Sequence, residues 1–194
     1  LSSHRDFMLE LARASGDFIR PLFGRHDVAI ELKSDQTPVT VADRGAEELM
    51  RRMIKARFPT HGLLGEEFGP EKADAEFVWV LDPIDGTKSF ITGMVAWGTL
   101  IGLMRFGEPV FGVMNQPFIG ERFSGDGQAA YYRGPAGNRD LRVRACAKLS
   151  DAVLFTTSPL LMNENDRKTF GKVEAAVRLS RYGGDCYAYC MLAA

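Results

Sequence analysis

The stretch Phe77 to Phe90, FVWVLDPIDGTKSF, decides how the chain is read. Phe77-Val78-Trp79-Val80-Leu81 is a continuous apolar run of the kind that forms a strand buried on both faces. It ends abruptly in Asp82-Pro83-Ile84-Asp85-Gly86-Thr87. Two carboxylates three residues apart at the end of a buried strand repel each other and cost stability unless positive charge lies between them. Pro83 fixes φ and withholds an N–H, and Gly86 permits backbone conformations closed to other residues. The turn therefore aims both carboxylates into one small volume, where a cation belongs. Oxygen-only ligands favour a hard ion, Mg²⁺ before Ca²⁺ or Mn²⁺, since no His or Cys lies in the stretch. Thr87-Lys88-Ser89-Phe90 can open a short helix whose free N–H groups point at an anion. Metal plus helix N-terminus reads as a phosphate site. The plainer alternative is a loop whose Asp residues only cap turns.

Upstream, Leu63-Leu64-Gly65 is a second short apolar strand delivering carboxylate at its end, Glu66-Glu67. Adjacent residues of an extended chain point to opposite faces, so one glutamate faces the site. Thr40 to Arg57 reads as a helix with buried stripe Ala46, Leu49, Met50, Met53 and Ile54. Thr40 and Asp43 have the spacing of a capping box, so the helix start alone explains Asp43 structurally.

Asp82-Pro83-Ile84-Asp85-Gly86-Thr87, preceded by Gly65-Glu66-Glu67 and by Val39-Thr40-Val41-Ala42-Asp43, resembles the inositol monophosphatase family of Mg²⁺-dependent phosphatases. The match runs from Lys33 to the end of the chain. The resemblance implies a layered α/β/α/β/α sandwich, with the second half truncated here, and a homodimer with the site between two halves. It also implies two or three Mg²⁺ per site, held by Glu66, Asp82, Asp85 and the main-chain carbonyl of Ile84. Glu66 is then the member of its pair that faces the metals, orienting or deprotonating a water, with Glu67 secondary. Thr87 would assist by a hydrogen bond to Asp43. The N–H groups of Gly86 and Thr87 would hold phosphoryl oxygens, and Lys33 would add positive charge from a loop. A further metal-binding Asp lies beyond the segment matched by Gly183 to Ala194. The natural protein is expected to continue and supply it, and a fragment ending at Ala194 to bind Mg²⁺ poorly.

Composition is ordinary for a globular chain: 194 residues, 45% hydrophobic and 25% charged, with formal net charge −1. That balance gives no electrostatic case for nucleic acid or an anionic membrane. No apolar run approaches the roughly 20 residues of a spanning helix. Cys146, Cys186 and Cys190 show no zinc spacing, and three reduced thiols suit a cytoplasmic protein.

A first helix carries Phe7, Met8, Leu11, Phe18, Ile19 and Leu22 inward and ends near Pro21 and Gly24. His4 and His26 beside it read as surface. Val28 to Lys33 is weakly strand-like, and His61 sits in a turn, exposed or beside the site. Val95 to Met104, Pro109 to Met114, Glu121 to Ser124 and Ala129 to Arg133 read as antiparallel strands joined by glycine turns. Helices and an antiparallel sheet are thus segregated into layers. Gly134 to Asn138 is the best internal boundary, giving a metal-bearing α+β unit over residues 1–137 and the start of an α/β unit over 138–194. In the latter, Leu141 to Arg144 and Val153 to Thr156 are strand candidates. Asn165 to Val177 is a helix with Phe170, Val173 and Val177 inward. Asp185 to Ala194 is a buried helix after a tight glycine turn, with Tyr187 and Tyr189 in the core.

Gly184-Asp185-Cys186-Tyr187-Ala188-Tyr189 resembles the histidinol-phosphate phosphatase branch of the family, and so implies a step of histidine synthesis. Histidinol phosphate carries an ammonium and an imidazole, and Asp185 at the substrate end of a cleft would attract that cation. Alternatively Asp185 only caps its helix. Two other functions stay open. One is inositol-1-phosphate or another small sugar-phosphate monoesterase. The other is a non-catalytic regulatory family member, against which the intact motif argues.

Overall fold

The computed structural model describes residues 2–25, 29–32 and 38–194. The first helix, α1 (Ser2–Ile19), buries Phe7, Met8, Leu11 and Ile19. A hairpin of β1 (Ile30–Leu32) and β2 (Pro38–Thr40) leads into α2 (Val41–Arg57). The capping box is present: Asp43 Oδ2 accepts from Thr40 N at 2.8 Å and Thr40 Oγ1 at 2.6 Å, and Thr40 Oγ1 accepts from Ala42 N. The two helices meet where Gly45 leaves room for the Phe18 ring, which therefore stays 40% exposed rather than joining the core. Lys33 and His26 lie outside the described residues, as does Val28, while Ile30 to Leu32 of the expected strand Val28 to Lys33 appear as β1.

Next come β3 (Gly62–Gly65), β4 (Gly69–Glu71), β5 (Phe77–Asp85), a short helix α3 (Thr87–Ile91), β6 (Gly98–Arg105) and β7 (Glu108–Gln116). They are followed by β8 (Glu121–Gly125), β9 (Ala130–Gly134) and β10 (Gly137–Asp140). The strands form an eight-stranded sheet in the order β10-β9-β8-β7-β6-β5-β3-β4. Only β3 and β5 pair in parallel, so their ends, with Glu66 and Asp82, arrive side by side. One face of the sheet packs Trp79, Leu81, Ile101, Leu103 and Val113 against α1 and α2. The opposite face carries Met114, Phe123 and Tyr132.

Gly134 and Gly137 face each other across the β9–β10 hairpin, so the large sheet runs on to Asp140. Leu141 to Arg144 does not form the expected strand. Leu141 N donates to Ala130 O, and the chain then leaves the sheet. Beyond it β11 (Val153–Thr156) pairs in parallel with β12 (Leu179–Tyr182), α4 (Glu164–Glu174) lies between them, and α5 (Asp185–Ala193) follows.

Two expectations here are corrected. No residue of α4 is buried, and Val173 is exposed. In α5 only Cys186 is buried, whereas Tyr189 is 79% exposed. Apolar sequence predicted burial, but α5 rests on the sheet by one side alone, through Cys186, Tyr187, Cys190 and Ala193. His4 and His61 also differ from a surface reading. His61 Nδ1 accepts from Trp79 Nε1 at 3.0 Å, and both imidazoles stack on Phe58 and Phe77.

Sequence reading missed Glu47, which α2 buries completely within its apolar stripe. Its carboxylate accepts from Arg51 Nε at 2.7 Å, one helical turn on, and from the N–H groups of Glu67 and Phe68. Arg51 also donates to the Gly69 carbonyl and faces Glu71, which is paired with Lys55. This network clamps the turn after β3, and a methyl group at Gly65 would collide with the Glu47 carboxylate. Glu47→Ala should therefore cost about 3–5 kcal/mol, since it strands Arg51 and two N–H groups. Gly65→Ala should be damaging in the wild type and much less so beside Glu47→Ala. A double-mutant cycle by urea unfolding checks this, and strict additivity would rule the contact out.

Candidate active site

The site gathers at the ends of β3 and β5. Regular pairing of β5 with β6 breaks between Asp82 and Asp85, so Pro83 and Ile84 form a bulge. Pro83 has no N–H to lose there. The buried Thr99 hydroxyl donates to the Pro83 carbonyl at 2.8 Å and pins the bulge from β6. Ile84 anchors it on the other side, its side chain packed among Ile19, Ala42, Ala46, Phe90 and Trp97. The carbonyl of Ile84 accepts from Thr87 Oγ1 at 3.2 Å. Gly86 follows at φ +91°, where a side chain would be strained and would press on the Ala96 carbonyl at 2.7 Å.

Asp82 lies within reach of the charges of Glu66, Asp85 and Asp43. Burial, the charge of Glu66, a hydrogen bond with Glu66 and the charges of Asp85 and Asp43 push the Asp82 carboxyl up to about 9. Asp82 Oδ1 is buried with no hydrogen-bond partner. Burial raises Asp85 as well, with Asp185 and Glu66 adding to it, and the backbone and side chain of Cys186 partly offset this. Asp43 stands next in line, raised to about 6 by burial and by Glu67, against the lowering effect of its bonds from Thr40. Glu67 is thus half-buried beside Asp43, nearer the cluster than a solvated group would be. The expected hydrogen bond between Thr87 and Asp43 is replaced by two local ones, since Thr40 occupies Asp43 and Ile84 occupies Thr87.

Asp185 comes to this site from far along the chain. It begins α5 with φ +43°, and its side chain makes no capping bond to its own helix. Instead Oδ2 accepts from Ser89 Oγ at 2.9 Å and stands 3.0 Å from where a Gly86 side chain would begin. Asp185 is thus in the first turn of α5 rather than at its N-cap, which is Gly184. The thiol of Cys186, held well above its ordinary range by burial and then by Asp85, points back at the Asp85 carbonyl at 3.9 Å.

A hard cation fits these residues. All donors are oxygens, Asp82 and Asp85 are half-buried while Glu66 is exposed, and one buried carboxylate oxygen has no partner. Among the described residues no three His, Cys, Asp or Glu side chains crowd closely enough to enclose an ion by themselves.

The model of the inositol monophosphatase family matches residues 1–194. The chain is 46% identical over 186 residues to the chloroplastic bifunctional phosphatase IMPL2 of Arabidopsis thaliana, covering 94% of this chain and 52% of that protein. It is 38% identical over 187 residues to the histidinol-phosphatase of Chlorobaculum parvum, covering 95% of this chain and 71% of that one. An inositol monophosphatase structure from Zymomonas mobilis superposes with TM-score 0.83 at 40% identity, over 99% of this chain and 74% of that chain. The chain thus spans about half the length of the first relative and about three quarters of the others. The carboxylates at the ends of β3 and β5, the Ile84 bulge and Gly86 sit in a fold shared along the whole chain, which belongs to the inositol monophosphatase family.

Proposed function

We propose that the protein is a Mg²⁺-dependent phosphate-monoester hydrolase acting on histidinol phosphate. The observation that carries the metal is the partnerless Asp82 oxygen among converging acids. Glu66, Asp82, Asp85 and the Ile84 carbonyl would hold Mg²⁺, two or three ions in the working site. When bound, the metal neutralises charge on the phosphoryl group and makes a water nucleophilic near neutral pH. Glu66 orients that water and accepts its proton. Thr87 holds the loop through its bond to the Ile84 carbonyl, and Asp43, fixed by Thr40 at the start of α2, adds its charge beside Asp82. The N–H groups of Gly86 and Thr87 face the phosphoryl oxygens, where charge grows in the transition state.

Asp185 supports the choice of substrate. A carboxylate freed from helix capping and placed beside Gly86 suits an ester whose alcohol carries a positive charge. The similar proteins of Chlorobaculum parvum and Mycobacterium tuberculosis are histidinol-phosphatases, which supports the same choice. Inositol-1-phosphate is the second reading, favoured by the Zymomonas mobilis structure. A division into two units belongs to the same proposal, supported by the separate parallel pair β11–β12, but its boundary falls after Asp140, because Gly134 to Asn138 spans the turn of the β9–β10 hairpin. So do a homodimer and a cytoplasmic setting, the latter supported by the free thiols of Cys146, Cys186 and Cys190. Among the described residues no helix is long and apolar enough to cross a membrane.

Phosphate release by the full-length protein with Mg²⁺ should be faster from histidinol phosphate than from inositol-1-phosphate. Comparable rates would remove the substrate choice and leave the hydrolase. Asp185→Asn should lower kcat/KM on histidinol phosphate about tenfold, and on the neutral polyol ester much less. Mg²⁺ should raise the melting temperature of the wild type. Asp82→Asn should abolish that rise while making the metal-free protein more stable, by roughly 2–4 °C per kcal/mol of repulsion relieved. A metal-free Asp82→Asn protein less stable than wild type would argue against a site built for a cation.

A further inference from the structure

On the helix-bearing face of the sheet, beyond the strands that α1 covers, side chains from three strands and one helix enclose a cavity of ≈ 170 Å³. Its polar lining is Arg5 of α1, Arg122 and Ser124 of β8, and Tyr131 and Arg133 of β9, with Phe111 of β7 as an apolar wall. None of these residues belongs to the carboxylate cluster. Strand alternation explains the placement. Phe123 and Tyr132 turn to the opposite face, where they pack with Cys186 and Leu141, so Arg122 and Arg133 must turn to this one.

Arg122 and Arg133 are direct partners across the β8–β9 pair. Like charges placed opposite each other on neighbouring strands destabilise a sheet. Arg122 is also half-buried, and its guanidinium is held below its ordinary range by burial, then by the charges of Arg133 and Arg13. Arg13 lies two turns from Arg5 on α1. Among the described residues none of these four arginines forms a salt bridge. Neighbouring acids are occupied elsewhere. Asp126, whose charge reaches Arg5, accepts from Gln128 N and Ala129 N. Glu121 accepts from the hydroxyls of Tyr132 and Tyr187 on the other face.

Three arginines that form no salt bridge among the described residues, lining a small pocket with a hydroxyl in its wall, offer an anion cradle. We propose that this groove binds a phosphate-sized dianion at a site separate from the carboxylate cluster. Guanidinium forks match the paired oxygens of a phosphate group. The cavity is below the roughly 300 Å³ at which sites for drug-sized ligands begin, so the occupant is phosphate itself or the phosphate end of a small metabolite.

The test uses full-length protein stripped of divalent metal, in which the catalytic carboxylates repel anions. Inorganic phosphate is titrated against chloride at equal ionic strength, read by calorimetry and thermal unfolding. The wild type and Asp82→Asn should both show saturable binding and a matching rise in melting temperature. Arg122→Gln or Arg133→Gln should weaken binding about tenfold or more, and the double variant should lose it. Unliganded Arg122→Gln should be at least as stable as wild type, because it removes a repulsion. No saturable binding, a rise that chloride reproduces, or binding that the double variant keeps would each overturn the proposal.

Discussion

The desolvation of like charge at the ends of β3 and β5 is the constraint on which the rest of the molecule depends. Glu66, Asp82 and Asp85 are brought together by a parallel strand pair and a bulge, and in the metal-free chain they repel. Without a cation the repulsion is met by holding a proton on Asp82, whose carboxyl is pushed up to about 9, and one of its buried oxygens still has no partner. The arrangement persists because its surroundings over-determine it. Thr99 holds the bulge by the Pro83 carbonyl, Ile84 is packed into apolar surroundings, and Glu47 clamps the adjoining turn. Each of these supports costs little locally and is itself satisfied. The strain is thereby concentrated on the oxygens that a cation would take, as expected where perturbed acids mark function.

How much of this could be read from the sequence depends on the range of the interaction. The strand Phe77 to Leu81, the turn that follows and the cap of α2 are decided by residues within four positions of each other, and the structure has them. Glu47 could not be read because its partners, the amides of Glu67 and Phe68, lie twenty residues away. A signal existed: a glutamate inside an apolar stripe with arginine one turn later is rarely left unpaired. The arginine groove depends on strand register, which places Arg122 opposite Arg133, and periodicity alone does not give register. Burial of α5 was overread for the opposite reason. Apolar composition says that a helix can be covered, and only packing says on how many sides it is.

Asp185 shows how the two parts of the chain become one site. Its neighbour Cys186 sends main-chain and side-chain contacts to Asp85, while Asp185 itself takes the Ser89 hydroxyl of α3. Docking α5 therefore lowers the cost of one buried acid while adding another close by. An acid in the first turn suits the helix dipole, but the positive φ of Asp185 would be met more easily by glycine. The Ser89 hydroxyl holds that carboxylate beside Gly86 and within reach of Asp85, so the start of α5 is tied to the end of β5 and to α3. Asp82 reaches the cluster along its own strand, whereas Asp185 reaches it only because α5 docks on the sheet, which is why one was legible from local sequence and the other was not.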